Sequence, residues 1–201
     1  MIDYFEEFNK KISNKGCNIE IIKRDIMKCK MNYSFKLFEF GISEETKYIY
    51  NNYKRYMLFW EETDQKLSGY INFIPYESIS RKNKELCDFA ESVDDELIEN
   101  QGQVIDDLKQ WYPIFSFANG DAFCYDKRTG KVVFFEHEVF DTGVNLNGLV
   151  IADSIDSLLV KWSKILFADI YDWSEGVDEH GIDLSKSVYD KYIQVDKRIS
   201  V

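Results

Sequence analysis

Two prolines and ten glycines in 201 residues leave no long low-complexity linker, and there is no internal repeat. No run approaches the roughly 18 apolar residues of a membrane-spanning helix, so no membrane insertion is expected. The first residues, MIDYFEEFNKK, carry acids where a secretory signal needs positive charge, and no apolar stretch follows. The four cysteines, Cys17, Cys29, Cys87 and Cys124, are widely spaced and form no C-x-x-C pair. Reduced thiols in the cytoplasm are therefore expected, not a disulfide framework. Catalytic signatures are missing too: there is no P-loop, G-x-G-x-x-G, H-E-x-x-H or G-x-S-x-G. So is a basic surplus. The formal charge of −11 disfavours direct nucleic-acid binding, because phosphate contacts need a basic surface.

What is abundant is aromatic. With 45% hydrophobic residues, 15 Phe and 13 Tyr, the chain can bury a sizeable core. Residues 111–138, WYPIFSFANGDAFCYDKRTGKVVFFEHE, read as three strands joined by tight turns. Asn119-Gly120 is a strong hairpin signal, and Gly130 suits the left-handed position closing the next loop. A two-residue loop at Asn119-Gly120 sets Phe115 opposite Cys124. One face then gathers Phe115, Phe117, Ala122, Cys124, Val133 and Phe135, and the other Ile114, Phe123, Tyr125, Val132 and Phe134. Both faces are apolar, so either helices cover both or one face is left for a partner, burial on both being the plainer expectation. A slip of one residue exchanges the lists.

Around this meander, apolar spacing predicts a helix over 2–12 and another from the Ser43 cap to Asn52. Strands are expected at 55–61 and 69–74, and a helix after Pro75. A short strand at 149–151 leads to a helix capped by Asp153, with Ile155, Leu158, Leu159, Trp162, Ile165 and Leu166 on one stripe. A last helix is expected near 184–193. Residues 19–40 are ambiguous between helix and strand. That region is basic: 10–36 holds eight Lys and Arg against Glu20 and Asp25. By contrast, 85–107 has nine acids and 169–183 six, with no Lys or Arg in either. Such blocks are either a solvated face or a docking surface for a basic protein.

Candidate chemistry is sparse. Glu136-His137-Glu138 and Asp178-Glu179-His180 hold metal-ligand types, yet alternating strand side chains keep His137 off the face of its neighbours. No metal, cofactor or catalytic residue is expected. Cys124 reads as a buried apolar residue, not a nucleophile.

The order of Trp60, Trp111-Tyr112-Pro113-Ile114, Asn119-Gly120-Asp121, Gly130-Lys131-Val132-Val133, Glu136-His137-Glu138 and Trp162 resembles the SUKH superfamily, the family of the fungal Smi/Knr cell-wall regulators. The likeness runs from about residue 42 to 170. It implies a single α+β domain with a central, mostly antiparallel sheet around 112–136 flanked by helices. On this basis 41–201 form the SUKH-like domain and 1–40 an N-terminal extension of uncertain structure. Trp60, Trp111, Pro113, Asn119, Gly120, Asp121, Gly130 and Trp162 are then structural positions. The resemblance implies no enzyme. It implies an immunity protein that binds and neutralises a cognate bacterial toxin, such as a basic nuclease, or else a regulator or scaffold for an endogenous partner. In the toxin-binding case Asp94, Asp95, Glu96, Glu99, Asp106 and Asp107 are the expected contact acids, by charge complementarity.

Overall fold

A computed structural model describes residues 2–13, 18–64, 66–91, 107–137, 146–170 and 172–200. The fold is α+β: among the described residues, five helices pack on a single open antiparallel sheet of nine strands. In chain order these are α1 (Tyr4–Ile12), β1 (Ile19–Lys28), α2 (Glu44–Asn52), β2 (Tyr53–Glu62), β3 (Leu67–Phe73) and α3 (Tyr76–Glu91). Then come β4 (Trp111–Ser116), β5 (Ala122–Asp126), β6 (Val132–Phe135), β7 (Val150–Ala152), α4 (Ile155–Lys164), β8 (Val177–Asp178), β9 (Gly181–Ile182) and α5 (Asp190–Ile199). The sheet runs β1-β2-β3-β4-β5-β6-β7-β9-β8, so β1 and β8 are its edges.

The central hairpin differs from expectation by one residue. The Phe117 N–H donates to Asp121 O (2.8 Å), leaving a three-residue loop of Ala118, Asn119 and Gly120. Ser116 therefore faces Ala122, and Phe115 faces Phe123. Phe115 and Phe117 thus join Phe123, Tyr125, Val132 and Phe134 in the main core, away from Cys124. Ala122, Cys124, Val133 and Phe135 stay together on the other face, with Trp111, Leu108 and Leu86 of α3. Ile114 still reaches the main core, because the β4–β5 register shifts between Pro113 and Phe115.

The main core is an aromatic lattice. Trp162 is fully buried, with its ring 5.2 Å from Phe115, 5.0 Å from Phe123 and 5.1 Å from Phe167. Ile155, Leu158, Leu159 and Trp162 of α4 are buried as expected from their spacing, while Ile165 and Leu166 are buried just past the helix end, Leu166 with φ +58°. Its cap is Ser154, not Asp153: Ser154 Oγ accepts the Ser157 N–H (3.0 Å), while Asp153 faces Lys131 and His180. Ser43 caps α2 as expected and also donates its Oγ–H to Asp156 (2.7 Å), pinning α2 to the first turn of α4. The last helix lies further on than its predicted span, because a short 3-10 turn at Ser187–Tyr189 intervenes before α5. The ambiguous stretch after Ile19 is strand β1 followed by an irregular strap.

The segment expected to be an extension packs inside. Phe5, Phe8 and Ile12 of α1 are buried, and β1 pairs with β2 along its whole length.

Candidate docking surface

Two of the tryptophans are clamps. The Trp60 indole lies so close to Gly69 that a Cβ there would meet Nε1 at 2.2 Å, and that N–H donates to Leu166 O (2.9 Å). Trp162 Nε1 donates to Ala168 O (2.9 Å). Trp111 fills the second face of the sheet, and its buried indole N–H has no hydrogen-bond partner among the described residues. Pro113 sits at the β4 irregularity, where a missing N–H is tolerated. Phe40 stacks over Gly130.

The Asn119-Gly120-Asp121 turn is held from three sides. Asn119 Oδ1 accepts the Asp121 N–H (3.1 Å), and Asn119 Nδ2 donates to Asp121 Oδ2 (2.6 Å). Asp121 Oδ1 accepts the His137 N–H (2.7 Å). Gly120 has φ +101°, with the His137 ring where a side chain would stand. His137 and the turn are therefore one structural unit. Among the described residues no three His, Cys, Asp or Glu side chains are grouped to hold a metal ion. Cys124 is buried, and burial pushes its thiol well above the ordinary range.

Of the expected contact acids, Asp94, Asp95, Glu96, Glu99 and Asp106 lie outside the described residues. Asp107 has an internal partner. Arg128 Nη1 donates to it, while Arg128 Nε and Nη2 donate to Asp126 at 3.1 and 2.9 Å. Asp126 first and Asp107 second raise the guanidinium pKa further. This fork ties the turn after β5 to the residues leading into β4.

No protein-family model, curated protein or solved structure matches the chain. What the acids can do therefore follows from their own geometry.

The second acidic run, 169–183, is almost wholly described, and it borders the β8 edge. Asp172, Asp178 and Asp183 each accept a backbone N–H two residues on, from Ser174 (2.9 Å), His180 (2.7 Å) and Ser185 (3.0 Å). These are Asx turns, so part of the run is turn chemistry. The turns nevertheless leave Asp172, Glu175, Asp178 and Glu179 exposed on one short piece of chain. Composition marks the run as acidic but assigns no contact to it, because it does not separate a turn-forming Asp from a projecting one.

Asp169 behaves differently. It lies where Ala168 bridges Gly69, and the Asp169 N–H donates to Ser68 O (3.2 Å). Burial, aided by the Asp121 charge, pushes its carboxyl up to about 6. Below about pH 4 both folded and unfolded chains hold this proton. Between about 4 and 6 the unfolded chain releases it first, so stability falls as pH rises and then levels off. Asp169→Asn is therefore expected to stabilise the protein at pH 7 by about 1–2 kcal/mol, after discounting for partial exposure. Urea denaturation at pH 7 and pH 4 checks this: the gain should vanish at pH 4. A gain equal at both pH values would remove the charge explanation.

Proposed function

We propose that this protein is a non-catalytic binding protein of the immunity type: it neutralises a cognate toxin by docking on it in the cytoplasm. The observation that carries the reading is the exposed acidic piece around β8 and β9, with Asp172, Glu175, Asp178 and Glu179 outward and no Lys or Arg from 169 to 183. A nuclease toxin presents Lys and Arg groups for phosphates, and such a surface is complementary to these acids. The stiff aromatic core behind them limits the ordering cost on binding. Among the described residues no helix is long and apolar enough to cross a membrane.

The decisive experiment co-expresses the chain with the open reading frame adjoining its gene. Rescue from growth arrest together with co-purification supports the reading. A toxic neighbour that the chain neither rescues nor binds rejects it. The association rate is expected to fall at least tenfold between about 20 and about 300 mM salt, because exposed charges beyond a Debye length are then screened. Glu175→Lys with Glu179→Lys is expected to slow association similarly at low salt, with dissociation changed less. Stopped-flow mixing separates the two rates, and a salt-indifferent rate would exclude electrostatic docking.

A further inference from the structure

The basic stretch from 10 to 36 has no role in that reading. The fold puts its middle on β1, an edge strand whose one strand neighbour among the described residues is β2. β1 is ten residues long, about twice an ordinary strand. Its alignment continues beyond Lys28, because the N–H groups of Cys29 and Met31 donate to Asn52 O and Asn51 O at 2.9 and 2.7 Å. Such an edge offers a row of backbone groups to an incoming strand. Apolar side chains accompany it: Ile22, Met27 and Met31 are 46, 44 and 38% exposed.

Two features decide what kind of strand fits. The first is that a second copy of β1 does not fit along its regular run. The strand is irregular at Ile22 and runs regularly from Lys23 to Met27 against β2. Antiparallel pairing of two copies with faces matched is centred on one residue. Centred on Lys23, Arg24, Asp25 or Lys28, that residue meets its own charge. Centred on Ile26, Arg24 meets Lys28, and centred on Met27, Arg24 meets Lys30. Like charges directly opposite destabilise a strand pair. The second feature is which charges already have partners. Asp25 pairs with Arg55 and Lys28 with Glu6, each at 2.7 Å. Lys23 and Arg24 have no carboxylate at ion-pair distance among the described residues, and Arg24 reaches only Ser13 Oγ (3.3 Å).

We infer that β1 is a docking edge for an extended acidic segment of another protein, which adds antiparallel to the sheet. Its acids stand opposite Lys23 and Arg24, and its apolar residues opposite Ile26 and Met27. This edge is basic where the toxin-docking surface is acidic, and it lies at the other end of the strand order from β8. The inference therefore does not rest on the immunity reading.

A fluorescein-labelled peptide with the core Thr-Val-Val-Thr-Glu-Glu tests it. Laid antiparallel, this core sets Thr opposite Lys28 and Asp25, Val opposite Met27 and Ile26, and Glu opposite Arg24 and Lys23. Saturable binding by fluorescence anisotropy is expected, with slowed amide exchange confined to residues 19–31. A peptide with Lys in place of both Glu is expected to bind at least tenfold more weakly. With Lys23→Glu and Arg24→Glu together, that preference should reverse. Circular dichroism checks that the double variant folds, and the two peptides on the unmodified protein decide the question even where it does not. Absence of saturable binding, equal binding of both peptides, or protection away from β1 would overturn the proposal. So would β1 protection that rises with protein concentration alone, since a second copy would then be the occupant.

Discussion

Phe5→Ala is expected to lower the unfolding free energy by about 3–5 kcal/mol, the range for removing a fully buried aromatic side chain. Phe5 has no exposed surface, and its ring stacks on Tyr56 with centroids 4.2 Å apart. Edge contacts reach Tyr53 at 5.3 Å, Phe73 at 5.5 Å and Phe167 at 6.2 Å. The backbone is anchored as well: Tyr56 Oη donates to Phe5 O (3.0 Å). Asp3 accepts the N–H groups of Phe5 and Glu6 at 3.1 and 3.0 Å and the Tyr53 hydroxyl at 2.8 Å. No single side chain on β2 or β3 can close over the vacancy, because several rings converge on it. Against a typical total of about 5–15 kcal/mol the loss would be large. Urea or thermal denaturation measures it, with Ile2→Ala on the exposed side of the same segment as a control expected within about 0.5 kcal/mol. If Phe5→Ala cost no more than Ile2→Ala, α1 would be resting on a domain that is complete without it.

That result bears on what the sequence discloses. The meander was legible because Asn-Gly and Asp-x-x-x-Gly punctuate β-branched and aromatic runs. Its loop length was not, since the same dipeptide closes two- and three-residue loops. That one-residue difference moved Phe115 and Phe117 across the sheet. The α4 stripe was legible from Ile155 to Trp162, because period-3.6 burial repeats through two turns, whereas Ile165 and Leu166 are buried beyond the helix end. β1 was hidden by its own irregularity: the extra residue at Ile22 puts Ile21 and Ile22 side by side and spoils the alternation. β8 and β9 have two residues each, too short for any period to show. As for the surface, the acidic run was visible, but not that Asp172, Asp178 and Asp183 bend the chain while Glu175 and Glu179 project. Nor could spacing reveal that Asp107 already has Arg128.

Gly181→Ala is expected to be about as damaging, on the order of 3–5 kcal/mol, through a different cause. Gly181 has φ +86° and is buried where β9 meets both β7 and β8. A Cβ there would lie 2.0 Å from Ile151 O, 2.2 Å from Ile151 C and 2.5 Å from Ala152 N. All three atoms are backbone, so no side chain can rotate away, and the strands must part. Gly41 separates this contact from the strain of a positive φ. Its φ is +80°, but among the described residues a Cβ there meets nothing within 4 Å. Gly41→Ala should therefore cost only about 1 kcal/mol, the backbone component alone. The difference between the two variants, read by denaturation, is the part due to close approach of β9 to β7. Amide exchange should rise at Val177, Asp178 and Ile182 in the Gly181 variant while the β2–β3 pair stays protected. Since Asp178 and Glu179 ride on this hairpin, that variant should also lose partner association in proportion to the hairpin's release. Unchanged association with a freed hairpin would move the docking surface elsewhere on the molecule.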